Sequence, residues 1–204
     1  MSIRLIDLAS AIQMPWKNGS GSTIELAIEP AGANLDNFAW RISSADVGCD
    51  GSFSNFPGID RSLAILSGAG LRLNSAQAPA HSLTCASQPW AFAGETTVYA
   101  ELLDGAVTDL NIMTRREFWA HQLDVIEVDG EYHLDNSKPA AVVLIYNHAA
   151  SRLNCTLNSG EQHQIGPRQG LLLSDDHAGQ AITLSAPAAI KIYVARLTRT
   201  TDTR

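Results

Sequence analysis

The chain has 204 residues, of which 45% are hydrophobic and 17% are charged, and its formal net charge is -7. This apolar content is ordinary for a globular protein and argues against intrinsic disorder. The acidic balance, with no basic cluster beyond Arg115–Arg116, argues against a nucleic-acid partner. The N-terminal residues contain no long apolar run, so we expect neither a secretory signal nor a membrane span. Three widely spaced cysteines (Cys49, Cys85 and Cys155) indicate free, buried thiols in a reducing cytoplasm.

Period-two alternation of apolar and polar residues, which is typical of strands, runs through the chain. The predicted strands are Thr23–Ile28, Trp40–Val47, Val98–Leu103, Val107–Met113, Val125–Val128, Glu131–Leu134, Ala141–Tyr146, Arg152–Leu157, Gly170–Leu173, Ala181–Leu184 and Ile190–Leu197. Hairpin turns are expected at Asp104-Gly105 and Asp129-Gly130, because these residues tolerate positive φ. Only short helical turns are expected, near Leu5–Ile12 and Arg115–Trp119. Many short strands at regular spacing predict an all-β barrel or sandwich.

A weak internal similarity predicts two barrels within one chain. Two stretches each have the pattern of a strand, a turn and a second strand, and each is followed by a β-rich hairpin. These stretches are Arg61–Leu73 and Ala140–Leu153. The stretch between them, 117–137, holds six acidic residues and no lysine or arginine, which is typical of a solvated connector. The two barrels could also share strands as one compact unit. The predicted domains are a first barrel over 1–116, an acidic connecting hairpin over 117–137 and a second barrel over 138–204.

The residues themselves indicate no metal and no cofactor. Many barrels of this kind bind a metal through two histidines at alternate positions of one strand, whereas no two of the six histidines here are closer than twelve residues. A ligand set could still assemble from separate strands, but no spacing in the sequence indicates one. The G-x-S-x-G, Walker A and G-x-G-x-x-G motifs are also absent.

The segment Pro15–Thr23 is the first of three with unusual composition. It places Trp16, Lys17 and Asn18 directly before a glycine-containing loop. Aromatic and amide side chains in a loop need a packing or hydrogen-bonding partner. The segment is therefore either a lid with Trp16 as an apolar plug or a set of ligand contacts, and the sequence favours neither.

The second segment, Phe38–Arg61, contains an arginine within a predicted strand. Arg41 and Ser43 share one face of the predicted strand Trp40–Val47, and a buried arginine needs an anionic partner. We favour a carboxylate of the protein over an anionic ligand. Asp60 and Arg61 are adjacent, so in a strand they would point to opposite faces. The carboxylates that could pair with the strand arginine are Glu25, Asp60 and Asp109.

The third segment, Asp109–Arg116, begins shortly after the predicted turn at residues 104–105. In a strand, Asp109, Asn111 and Met113 would share one face, and Leu110 and Ile112 would share the other. An inward polar face must be satisfied by partners, which a pocket supplies through ligand or water. The alternative is that this face is exposed to solvent. The methionine beside two polar groups leads us to favour the pocket.

These segments together resemble the HutD/Ves family, cupin-like proteins encoded with, or related to, the bacterial histidine-utilisation pathway. The resemblance covers the first 116 residues well and the rest only in strand pattern and length. It implies a double-barrel cupin fold (a bicupin of jelly-roll type), a pocket without metal, and an accessory or regulatory role in histidine breakdown. The motifs, in order, are Pro-Trp-Lys-Asn-Gly, Phe-x-Trp-Arg-x-Ser-x-Ala, Phe-Ser-x-Phe-Pro-Gly-x-Asp-Arg, Leu-x-Gly-x-Gly and Asp-Leu-Asn-x-Met-x-Arg.

We therefore predict a metal-free binding protein for a small carboxylate such as urocanate or N-formylglutamate. We expect a monomer or homodimer with no cofactor and with neither nucleic-acid nor membrane partners. One alternative is a metal-independent isomerase or hydrolase of a small organic acid. The other is a protein-interaction module that uses Phe53 and Phe56, which could equally pack beneath their loop. The predicted ligand-binding residues are Trp16, Lys17, Asn18, Thr23, Glu25, Arg41, Ser43, Asp60, Arg61, Asp109, Asn111 and Arg115.

Overall fold

A computed structural model of the chain shows strands and turns without α-helix in the residues that it describes. The prediction of an all-β protein is confirmed. No helix in this part of the chain is long and apolar enough to cross a membrane. The described residues are 3–16, 19, 21–76, 79–134, 140–174 and 177–200.

The chain divides into two compact units. The first unit comprises Ala11–Ala120 together with Thr200, and the second comprises residues 3–10 together with His121–Arg199. The strands, in chain order, are β1 (Ile3–Asp7), β2 (Gln13–Pro15), β3 (Gly21–Glu29), β4 (Trp40–Val47), β5 (Gly51–Ser52), β6 (Ile59–Ser67), β7 (Leu71–Ser75), β8 (His81–Leu83), β9 (Trp90–Ala93), β10 (Val98–Leu102), β11 (Val107–Arg115), β12 (Trp119–Leu134), β13 (Val142–Asn147), β14 (Leu153–Leu157), β15 (Gln162–Ile165), β16 (Gln169–Ser174) and β17 (Ile182–Arg199).

The first unit contains two antiparallel sheets. A six-stranded sheet has the order β2-β3-β4-β11-β6-β9, and a four-stranded sheet has the order β5-β10-β7-β8. Leu63 and Ile65 from the six-stranded sheet join Leu71, Leu73 and Val98 from the four-stranded sheet in one buried apolar cluster. Since burying each such side chain contributes about 1.5–3 kcal/mol, this shared cluster holds the inner faces of the two sheets together.

Two glycines form the crossing from β6 in one sheet to β7 in the other. Gly68 and Gly70 have φ of 90° and 117°, a region that residues with a Cβ rarely adopt. A Cβ on Gly68 would also lie 2.5 Å from the carbonyl oxygen of Ala106, and one on Gly70 would collide with the carbonyl oxygen of Leu83. The crossing thus allows β6 and β7 to be consecutive in the chain and yet lie in different sheets.

The second unit is built on one seven-stranded sheet. Its order is β1-β16-β13-β17-β14-β15, with β12 paired to β17. All six residues of β13, which lies between β16 and β17, are buried. Its Val143 and Ile145 pack with Leu171, Leu173 and Val194 in the main apolar cluster of the unit.

Several predicted elements differ in the structure. The helical turn expected near Leu5–Ile12 is wrong for its first residues, which belong to the strand β1 because its backbone pairs with β16 from Ile3 to Asp7, whereas residues 8–10 form a turn. This pairing places residues 3–10 in the second unit, not in a barrel over 1–116. The expected turn Asp129-Gly130 lies within the uninterrupted strand β12, where Gly130 has φ of 73°. The two last predicted strands form the single strand β17, and residues 116–118 form a turn and not a helix.

Candidate functional site

Polar side chains occupy adjacent rows on the inner face of the six-stranded sheet. The antiparallel register places Glu25, Ser43 and Asn111 opposite one another on β3, β4 and β11. The next row places Arg41 and Arg61 on the two strands that flank β11. Opposite residues on one face lie about 5 Å apart and diagonal ones about 7–8 Å, so side chains on adjacent strands within these two rows can reach one another. The structure thus brings together residues that are as many as 86 positions apart in the chain (25 to 111).

Arg41 is neutralised within the protein. Its Nε donates a hydrogen bond to Glu25 Oε2 at 2.9 Å, and its Nη1 donates to Ser43 Oγ at 3.2 Å. The Arg41 side chain is 8% exposed and that of Glu25 is 31% exposed. Of the three carboxylates that the sequence offered for this arginine, the structure selects Glu25.

Arg61 is a buried cation with few partners. Its Nη1 donates to the carbonyl oxygen of Ser54 at 3.4 Å, while its Nε is buried and has no hydrogen-bond partner. The guanidinium carbon lies 4.9 Å from the ring centroid of Phe92, 5.2 Å from that of Phe53 and 5.6 Å from that of Phe56. Burial lowers the pKa of Arg61 to about 10, so the side chain remains charged at neutral pH.

The aromatic rings do not replace the hydrogen bond that the buried Nε of this cation lacks. A cation over an aromatic face gains about 0.5–2 kcal/mol, whereas a buried donor without a partner forfeits about 1–3 kcal/mol and a charged one more. The Oδ1 atom of Asn111, on the neighbouring strand, is also buried without a partner. The inner face therefore offers one positively charged donor and one neutral acceptor that the described protein groups leave unsatisfied.

Asp109 precedes Asn111 by two positions and shares its face. The side chain is 6% exposed, and its Oδ1 accepts a hydrogen bond from the Ala45 N–H at 3.1 Å. Burial raises the pKa of Asp109 to about 7; the Ala45 hydrogen bond and the charge of Arg61 oppose the increase, and Asp46 adds to it. The carboxyl group therefore changes its charge near neutral pH.

We expect Asp109 to make the stability of the fold depend on pH. Its ordinary pKa is 3.8 and its pKa in the folded protein is about 7. Between these values the folded state binds more protons than the unfolded state, so stability falls as pH rises and the loss is complete above about pH 7. Each unit by which the pKa in the folded protein exceeds the pKa in the unfolded chain corresponds to about 1.4 kcal/mol of stability.

Asp109→Asn tests this expectation, because asparagine keeps an acceptor for the Ala45 N–H but cannot ionise. In urea titrations at pH 5 and pH 8, the free energy of unfolding should fall more for the wild type than for the variant. An equal fall in both proteins would show that Asp109 is ionised throughout this range.

Trp16 covers the sheet at the connection between β2 and β3. Its Nε1 donates to Thr23 Oγ1 at 2.8 Å, and its ring packs against the apolar cluster between the two sheets. A Cβ added to Gly21 would lie 3.0 Å from this ring. These contacts match the predicted apolar plug, whereas Lys17 and Asn18 lie outside the described residues.

Gly21→Ala should displace the Trp16 plug. The new methyl group would meet the Trp16 ring and the carbonyl oxygen of Asp46, so we expect a destabilisation of about 1–3 kcal/mol and altered tryptophan fluorescence. Gly51→Ala is the matched control, because nothing lies within 4 Å of a Cβ at that position. Equal stabilities of the two variants in urea titrations would contradict the packing described for Trp16.

Two of the predicted ligand-binding residues make contacts elsewhere. Asp60 lies on the face opposite to Arg61, and its Oδ1 accepts a hydrogen bond from Arg116 Nε at 2.7 Å. Strand alternation is the cause, since neighbouring residues point to opposite faces. Arg115 donates from Nε to the carbonyl oxygen of Phe38, and from Nη2 to another carbonyl of the same loop, both at 3.2 Å. These contacts fix the loop before β4.

Phe92 is a residue of the site that the sequence did not indicate. It lies opposite Arg61 in the pairing of β6 with β9 and provides the nearest of the three rings. Trp90 stacks on it with ring centroids 4.1 Å apart. The strand β9 has only four residues and pairs with a strand far away in sequence, so no local pattern could have placed Phe92 beside Arg61.

The second unit has an open groove of about 550 Å³ on strands β14, β15 and β17. Among the described residues that line it, amides and hydroxyls predominate and no arginine or lysine is present. It therefore lacks the cation that distinguishes the inner face of the first unit. The lining residues are Asn154, Thr156, Gln162, His163, Gln164 and Ser185.

A family model named HutD matches residues 9–193 of the chain. Among curated relatives, an uncharacterized 21.2 kDa protein in the hutC 3′ region of Pseudomonas putida is 35% identical over 154 residues, which cover 76% of this chain and 77% of that protein. Protein Ves of Citrobacter koseri is 41% identical over 103 residues, which cover 50% of this chain and 52% of that protein.

Solved structures resemble the whole chain. A conserved protein of unknown function from Pseudomonas aeruginosa PAO1 has a TM-score of 0.87 at 32% identity, covering 97% of this chain and 100% of that one. HutD from Pseudomonas fluorescens SBW25 has a TM-score of 0.80 at 29% identity, covering 98% and 100%. A cupin 2 conserved barrel domain protein from Leptotrichia buccalis has a TM-score of 0.59 at 9% identity, covering 97% and 98%. That last likeness shows a cupin fold and nothing about activity.

Proposed function

Because this chain belongs to the HutD family, we propose that it binds a small carboxylate of histidine breakdown, of the urocanate or N-formylglutamate type, in an accessory or regulatory role. The observation that carries the proposal is Arg61, a buried cation whose Nε has no partner. A guanidinium presents several N–H donors in a plane and binds carboxylates through charge-assisted hydrogen bonds.

Asn111 supports the same class of ligand. Its unpartnered Oδ1 can accept a hydrogen bond from an N–H group that lies near the carboxylate bound by Arg61. Urocanate has an imidazole N–H and N-formylglutamate has an amide N–H, and both molecules carry a carboxylate. A carboxylate without an N–H would satisfy only the cation, so we expect it to bind more weakly.

We also propose that the chain forms a double barrel and that the protein is located in the cytoplasm. The two compact units support one barrel in each half of the chain, with the ligand in the first. No disulfide joins Cys49, Cys85 or Cys155, all three of which the structure describes; Cys155 is buried as expected, whereas Cys49 is exposed and Cys85 is partly exposed. Free thiols suit a reducing compartment. We expect the chain to act as a monomer or homodimer.

Thermal stabilisation is the first test of the proposal. A ligand that binds only the folded state raises the melting temperature by mass action. We expect a saturable increase with urocanate or N-formyl-L-glutamate, and a smaller one or none with succinate, a carboxylate without N–H groups. Histidine, the compound with which the pathway begins, is tested in the same way for comparison. No increase with either expected ligand at millimolar concentration would reject the proposal.

One observation favours a second candidate function, a metal-independent enzyme that acts on the same class of acid. A buried carboxyl group with a pKa of about 7, as Asp109 has, is suited to general acid–base catalysis. Liquid chromatography with mass spectrometry of urocanate or N-formyl-L-glutamate, which separates isomers as well as products of different mass, decides between the two after incubation with the purified protein. Turnover that is lost in Asp109→Asn would establish the enzyme, and unchanged compounds would exclude it for these substrates.

A further inference from the structure

Asp109 and Arg61 form an electrostatic pair without direct contact. They lie on the same inner face, Asp109 on β11 and Arg61 on β6, where Arg61 is opposite Met113, four positions further along β11. The charge of Asp109 raises the pKa of Arg61, and the charge of Arg61 lowers that of Asp109. Glu25 is already paired with Arg41. Asp109 is therefore the remaining carboxylate on this face that can balance the charge of Arg61.

An anion bound at Arg61 would compete with the Asp109 carboxylate as the negative charge that balances the guanidinium. With Asp109 ionised, the buried face would hold two negative groups around one unpaired guanidinium, in surroundings where like charges repel strongly. With Asp109 protonated, the bound anion becomes the counter-ion of Arg61. We therefore propose that binding of a carboxylate anion at Arg61 is coupled to the uptake of one proton by Asp109. This inference rests on the proposed function, because it concerns the same site.

The surroundings of Asp109 are consistent with this coupling. Asp46 adds negative charge beside it and accepts a hydrogen bond from Thr108 Oγ1 at 2.8 Å. Across the sandwich, the one titratable group on the inward side of the four-stranded sheet, within the described residues, is His81, whose ring contacts Trp90. The other inward side chains of that sheet do not titrate: Leu71, Leu73, Ser75, Leu83, Val98, Ala100 and Leu102. The other charged residues on the six-stranded sheet of Asp109 are Glu25, Glu29, Arg41, Asp46, Asp60, Arg61 and Arg115.

The size of the effect follows from the protonation of Asp109 in the free protein. With a pKa of about 7, about nine-tenths of the molecules hold the proton at pH 6 and about one-tenth at pH 8. If only the protonated form binds, affinity falls about tenfold between these pH values. Binding then takes up about half a proton at pH 7 and nearly one at pH 8.

Isothermal titration with N-formyl-L-glutamate tests the coupling. Both carboxyl groups of this probe have pKa values of about 4 or lower, so the ligand itself does not titrate between pH 6 and pH 8. Measurements in phosphate and Tris buffers, which differ in their heats of ionisation, count the protons taken up. We expect proton uptake and a tenfold pH effect in the wild type, and neither in Asp109→Asn, in which His81 is intact. The same uptake in both proteins would overturn the proposal.

A second measurement separates this proposal from the proposed function. The pKa of Asp109 can be followed by carbon-13 NMR of its carboxyl group in the free wild type and in Arg61→Met. We expect a higher pKa in Arg61→Met, because the cation that favours ionisation is lost. Failure of both urocanate and N-formyl-L-glutamate to bind the wild type overturns the ligand proposal. An unchanged Asp109 pKa in Arg61→Met overturns the coupling, whether or not that ligand binds.

Discussion

Arg61→Met should remove carboxylate binding while leaving the fold as stable as the wild type or more stable. Charge-assisted hydrogen bonds contribute about 1.5–3 kcal/mol, so their loss weakens binding by about ten- to hundredfold. Stability should not fall, because the guanidinium is buried with a single long hydrogen bond and an unpartnered Nε. Replacing a poorly compensated buried charge by an apolar group of similar volume is often neutral or stabilising. Methionine also keeps favourable contacts with Phe53, Phe56 and Phe92.

Arg115→Met is the matched control for this substitution. Arg115 has two hydrogen bonds to carbonyl oxygens of the loop before β4, so the same change there should destabilise the fold by about 1–2 kcal/mol and preserve ligand binding. Urea titration and calorimetry of both variants give the comparison. If Arg61→Met instead loses several kcal/mol of stability, Arg61 serves the fold and its assignment as a ligand anchor is wrong.

Glu25→Gln should destabilise the protein through Arg41. The substitution leaves the guanidinium of Arg41 buried without its carboxylate, and breaking a buried ion pair at one end is strongly destabilising. Because Glu25 is 31% exposed and glutamine keeps a neutral acceptor, we expect a loss of about 1–2 kcal/mol, below the full effect for a deeply buried pair.

A double-mutant cycle isolates the Glu25–Arg41 interaction. Glu25→Gln, Arg41→Met and the double variant, compared by urea titration, should show a coupling energy of about 1–3 kcal/mol. Additive effects would mean that the contact between Glu25 and Arg41 contributes nothing of its own, and Arg41 would then be as available to an anionic ligand as Arg61.

The sequence predicted the features of the site that follow from strand alternation. The shared face of Asp109, Asn111 and Met113 is a local property of one strand, and the structure has it. The opposite orientation of Asp60 and Arg61 is equally local, and it explains why Asp60 pairs with Arg116 away from the inner face.

Features that depend on long-range pairing could not be predicted in this way. The partner of Arg41 was open among three carboxylates, because only the register of β3 against β4 places Glu25 beside it. The strand β1 looked like a helical turn because its partner β16 lies more than 160 residues further along the chain. The lack of a partner for Arg61 Nε is a property of the folded face as a whole, which no motif encodes.

The side-chain NMR signal of Arg61 gives the most direct test of the central claim, that this arginine anchors a carboxylate. Its Nε–H signal in a nitrogen-15 spectrum can be assigned by its disappearance in Arg61→Met. Addition of urocanate or N-formyl-L-glutamate should shift this signal saturably as the free donor gains an acceptor, while the Nε–H signal of Arg41, already bonded to Glu25, stays in place. An Arg61 signal that is unchanged by both ligands at millimolar concentration would contradict the claim.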